Sequence, residues 1–135
     1  MHAGEDYGPA SIFQAITDCH ADRIGHGTHI FDTNMVDLPT QEERETYVRD
    51  LWQYIADRRI TIEVCLTSNL QTMPHLKSIE DHPFAKMLKN GISTTFCTDN
   101  RLVVCGPNND IEALAIAVIA IIGGHCNGGG SDIVE

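Results

Sequence analysis

Four short segments, each running into a polar cluster, are spaced along the chain with helical patterns between them, and this alternation limits the fold more than any other feature. The first is represented by its end, His2-Ala3-Gly4-Glu5. The second is Arg23-Ile24-Gly25-His26-Gly27. The third, Ile60 to Leu66, is dense in β-branched residues and closes at Thr67-Ser68-Asn69; the fourth, Ile92 to Cys97, closes at Thr98-Asp99-Asn100. The last two have the pattern of buried strands. Between the segments, Pro9 to Cys19 reads as a helix with Ile12, Ala15, Ile16 and Cys19 on one face. Thr40-Gln41-Glu42-Glu43 is a capping-box pattern, and the apolar repeat Val48, Leu51, Trp52, Ile55, Ala56 extends that helix to about Arg58. A third helix, from Pro83 to Lys89, stops at Asn90-Gly91. Strand and helix in alternation specify βα units and a parallel sheet. In such sheets functional residues gather at the carboxyl ends of the strands. Those ends carry His2, Glu5, His26 and Asp99, which are the residue types of a metal and acid–base site.

Length sets the next limit. The chain has 135 residues, enough for one ordinary domain but only half of the roughly 250 that a complete (β/α)8 barrel takes. Beyond Val103 the pattern changes: Cys105 to Asp110 reads as a turn, Ile111 to Ile122 as a short apolar helix, and Gly123 to Gly130 as a glycine-rich tail. Residues 104–135 are therefore separated from the βα region 1–103. A net charge of −10 repels phosphate backbones and anionic headgroups, which argues against nucleic acid and membrane surfaces as partners. The apolar run from Ala113 to Ile122 is far short of the about 20 residues of a membrane-spanning helix. Five cysteines without a C-x-x-C pair read as reduced, mostly buried thiols rather than a disulfide framework. With no basic, apolar leader at the start, the expected location is the cytoplasm.

Taken in order, H-A-G-E at His2 to Glu5, R-I-G-H-G-T-H at Arg23 to His29, Cys65 to Asn69, His82-Pro83 and T-D-N-R-L at Thr98 to Leu102 resemble the adenosine and AMP deaminase family of zinc aminohydrolases. The resemblance covers about residues 1–103. It implies the carboxyl-terminal half, about strands five to eight, of a (β/α)8 TIM-barrel metal-dependent hydrolase. It implies that His2 and Asp99 are zinc ligands, that Glu5 is the general acid that protonates N1 of the purine, and that His26 orients or deprotonates the water activated by the metal. It also places Asn100 where many members carry an aspartate that binds N7 of the base; an amide keeps an acceptor and a donor there. The family's other two ligands lie in an H-x-H motif, and no H-x-H occurs in this chain. Two ligands are one short of the three protein ligands usual for catalytic zinc, so the 135 residues alone are expected to be inactive.

The implied reaction is hydrolysis of adenosine to inosine and ammonia: water adds at C6 while a carboxylic acid gives a proton to the ring. Adenine, AMP or another aminopurine is the alternative substrate. A rival reading is a non-catalytic half-barrel that self-associates through exposed sheet edges; a weaker one is a metal-binding protein using Cys105, His125 and Cys126. His20, His29, His75, His82 and His125 are read as structural or surface residues, and Trp52 as core.

Overall fold

A computed structural model describes residues 1–99. Asn100, Cys105, His125, Cys126, the helix expected from Ile111 to Ile122 and the tail 104–135 lie outside the described residues. Within residues 1–99 the order is β1 (His2–Ala3), α1 (Pro9–Thr17), β2 (Arg23–His26), a 3-10 turn (Thr33–Met35), α2 (Gln41–Asp57), β3 (Thr61–Val64), α3 (Leu66–Thr72), a second 3-10 turn (Ile79–Asp81), α4 (Phe84–Lys89) and β4 (Thr94–Phe96). The strands form one sheet in the order β1-β2-β3-β4, parallel throughout. His2 pairs with Gly25, Ile24 with Ile62, and Ile62 with Thr94. Strand and helix alternate along this sheet as three successive βα units and a fourth strand, the arrangement of part of a (β/α)8 barrel.

The helices form where the residues direct them. Thr40 caps α2: its hydroxyl accepts from the Glu43 amide at 3.2 Å, and Glu43 accepts from the Thr40 amide at 3.1 Å. Two of the orphan donors of the first turn are satisfied reciprocally. Pro9 starts α1, which buries Pro9, Ile12, Ala15 and Ile16. The three apolar side chains beyond Pro9 join Ile24, Leu51, Ile55, Ile62, Phe84 and Met87 in one apolar core. Each fully buried isoleucine there contributes roughly 1.5–3 kcal/mol by removal from water. No described helix is long and apolar enough to cross a membrane.

Four sequence expectations need correction. The third strand ends at Val64 rather than Leu66, and Leu66–Thr72 is a helix that the pattern did not announce. The fourth strand is not buried: Thr94 and Thr95 are half-buried and Phe96 is 41% exposed, while the buried residue of that segment is Ile92, before the strand. Cys19 leaves the buried face of α1, and of the described thiols only Cys65 is buried while Cys19 and Cys97 are exposed. Trp52 packs against the core from its margin, only partly buried.

Candidate active site

β1 and β2 deliver His2 and His26 to the same rim of the sheet. Their rings meet edge to face, 84° apart in plane with centroids at 4.7 Å. Gly25 makes this possible: it is the ladder partner of His2, and a Cβ on it would stand 3.0 Å from the imidazole Cδ2. His26, the last residue of β2, is 1% exposed and has φ 70°. Left-handed backbone is uncommon for a residue with a Cβ and costs of order 1–3 kcal/mol, which the surrounding structure must offset. Asp99 shares this conformation, with φ 56°. Two of the four residues with positive φ other than glycine among those described are thus residues singled out from the sequence.

Glu5 follows β1 on a loop held from both sides: the Gly4 amide donates to Ser11 Oγ at 3.0 Å and the His29 amide donates to the Gly4 carbonyl at 2.9 Å. Its carboxylate lies 3.4 Å from His26 Nε2 through one oxygen and accepts from Thr72 Oγ1 at 3.4 Å through the other. Asp99 accepts from Ser68 Oγ at 2.7 Å. Asn69 Nδ2 is 3.2 Å from His26 Nδ1, and Asn69 Oδ1 is 3.3 Å from His82 Nε2. The helix missed from sequence, α3, therefore supplies a partner to each of three site residues: Ser68 to Asp99, Asn69 to His26 and Thr72 to Glu5. The available signal was the i, i+4 spacing of Ser68 and Thr72, which puts both hydroxyls on one helical face.

Among the described residues, ligating atoms gather in two groups that share His26. Those of His2, Glu5 and His26 all lie within 4.8 Å of one another, and so do those of His26, Cys65 and Asp99. Burial, together with the negative charge of Asp99 nearby, pushes the Cys65 thiol up to about 12. It stays protonated at neutral pH, and its sulfur lies 3.6 Å from the Glu63 carbonyl. Of the histidines read as structural, His82 is buried at 3% exposure, His29 is half-buried and faces Asp32 at 3.4 Å, and His20 and His75 are exposed.

Fold and site together define a segment of a (β/α)8 barrel with histidine and carboxylate donors at the carboxyl ends of its strands. The family model of adenosine deaminase matches residues 1–113, and the chain belongs to the adenosine deaminase family. An adenosine deaminase of Mycobacterium avium is 41% identical over 103 residues, 76% of this chain and 28% of that relative. The chain thus spans a little over a quarter of that relative's length. In shape it is similar to an adenine deaminase from Arthrobacter aurescens, with a TM-score of 0.64 at 21% identity over 90% of this chain and 32% of the other. The N6-methyl-AMP deaminase from Arabidopsis thaliana gives 0.60 at 28% identity, over 88% of this chain and 30% of the other.

Proposed function

We propose that this chain is the acid-bearing part of an adenosine deaminase, whose whole protein hydrolyses adenosine to inosine and ammonia. The observation that carries the reading is the convergence of His2, Glu5 and His26, from the ends of two adjacent strands, with all ligating atoms within 4.8 Å. The identity to the Mycobacterium avium adenosine deaminase supports adenosine as substrate. Neighbours that are named for adenine and for N6-methyl-AMP keep those bases as alternatives.

In this reading Glu5, as the carboxylic acid, gives its proton to N1 of the purine, so that the ring holds the electron density that arrives when water adds at C6. His26 lies within reach of the same carboxyl and orients or deprotonates the attacking water. Asn100 meets N7 of the base. One proton of the water goes to the departing amino group, which leaves as ammonia, the other restores the Glu5 acid, and the proton given to N1 stays on the ring beside the new C6 carbonyl. His2 and Asp99 have the donor chemistry that zinc takes, imidazole nitrogen and carboxylate oxygen, and at least one further ligand would come from the remainder of the barrel. A zinc ion held there would supply Lewis acidity that activates water for attack.

The test is a graft. Residues 1–103 of this chain replace the matching segment of the Mycobacterium avium adenosine deaminase, and loss of adenosine is followed by absorbance. Turnover is expected from the graft and none from the 135-residue chain with added zinc. Replacing Glu5 by Gln in the graft is expected to lower kcat by about 10²- to 10⁴-fold, the range of general acid catalysis. A folded but inactive graft would defeat the reading, and zinc-dependent turnover by the chain alone would defeat the claim that it is a part.

A second reading, a non-catalytic half-barrel that pairs with another copy, draws on one observation: β4 has one neighbour among the described strands, with Phe96 41% exposed on it. Size-exclusion chromatography with light scattering decides this, since a stable monomer rules it out.

A further inference from the structure

Behind His26 a line of hydrogen bonds runs inward to a backbone amide, and the direction of every bond in it follows from that amide. The Phe84 N–H lies 3.0 Å from His82 Nδ1. A main-chain N–H can only donate, so Nδ1 of His82 accepts and its proton sits on Nε2. That N–H donates to an oxygen of Asn69 at 3.3 Å, which leaves the amide NH2 of Asn69 facing His26 Nδ1 at 3.2 Å. Nδ1 of His26 then accepts as well. His82, Asn69 and His26 are 3%, 0% and 1% exposed, so no bulk water competes for these positions. Burial, and the neighbouring His26, hold the His82 ring down to about 4, in keeping with a neutral imidazole that can accept at one nitrogen.

We infer that Asn69 and His82 are positioning residues that fix His26 as its Nε2–H tautomer, with that N–H directed at Glu5 Oε2, 3.4 Å away. The consequence for catalysis rests on the proposed deaminase function. In this tautomer His26 presents a donor to the site. It orients a water oxygen within its reach by donating to a lone pair, and Nε2 has no lone pair free to take a proton. Of the two roles that the family resemblance allowed His26, orientation and deprotonation of water, the chain of bonds selects the first for the resting site.

The tautomer can be read without substrate. The whole chain, labelled with 15N in its histidines, is observed in two-bond 1H–15N correlation spectra at about pH 8, above the ordinary histidine pKa of about 6.5. The His26 signals are identified from a His26→Gln sample. The expected pattern is a pyridine-type Nδ1 and a pyrrole-type Nε2 for both His26 and His82. A proton on Nδ1 of His26, or an averaged mixture of the two forms, overturns the inference. Asn69→Asp offers a carboxylate that accepts from both rings, and it is expected to exchange the two nitrogen types of His26. An unchanged His26 pattern in a folded Asn69→Asp chain also overturns it, and should that variant not fold the parent spectrum still decides. A wrong tautomer leaves the deaminase reading standing, whereas an inactive graft with the right tautomer removes only that reading.

Discussion

The two rims of the sheet are built from the same four strands and differ in almost every other respect. Arg23, at the amino rim, reaches Glu63 on the neighbouring strand at 2.6 Å with 53% and 30% of their side chains exposed, and Thr61 and Ser93 share a hydroxyl bond at 3.2 Å in solvent. At the carboxyl rim, His26, Asn69 and His82 bond to one another out of solvent, and two residues hold left-handed backbone without being glycine. Polar groups in water form pairs that are easily replaced. Polar groups out of water must be satisfied by specific partners, and losing one partner costs the desolvation of the other. The carboxyl rim is therefore the costly end of the molecule, and it is the end where the chemistry-bearing residues stand.

Substitutions sharpen this contrast in order of size. The largest effect is expected from Asn69→Leu, which leaves His26 Nδ1 and His82 Nε2 buried without partners; at about 1–3 kcal/mol for each group the loss is about 2–6 kcal/mol in urea denaturation. Next is pH. The folded His82 ring is held down to about 4 by burial and by His26, while the unfolded ring titrates near 6.5. Between those values the unfolded chain binds the extra proton. Stability from this group is therefore complete above about pH 6.5 and falls as pH drops toward 4, by on the order of 3 kcal/mol. Thermal melts across that window should show the slope, and His82→Gln should remove that part of it. Smaller again is Gly27→Ala: at φ +59°, with a Cβ 3.0 Å from Ile62 Cγ2, the loss is about 1–3 kcal/mol. In the solvent-facing pair with Arg23, Glu63→Gln should change stability by no more than about 0.5 kcal/mol, the worth of an exposed ion pair. A Glu63 effect as large as that of Asn69 would break the comparison.

Much of this organisation was legible in the residues. Thr40 and Glu43 announced α2 because a capping box is a local device, complete within four residues. His2, Glu5, His26 and Asp99 could be singled out because each ends a strand pattern. The helix α3 was not legible: its N-cap residue, Cys65, has no capping side-chain bond, and Thr67-Ser68-Asn69 after a β-branched run has the composition of a turn. Its seven residues are too few for propensity to decide, so tertiary packing does. The exposure of β4 was hidden for a similar reason, since apolar content does not tell a strand how many neighbours it has. His82 read as a structural residue and is buried; its hydrogen bonds join it to His26 through Asn69, a residue 13 positions away.

Phe84 fills the core at 3% exposure, and its amide starts the line of bonds that ends at His26. The seat of the Phe84 ring and the place of the His26 proton thus depend on the same packing. A loosened state that kept the helices but lost fixed side-chain packing would still contain every residue of the site. It would no longer hold their protons in one arrangement, so the chemical state of the site is itself a product of tertiary order.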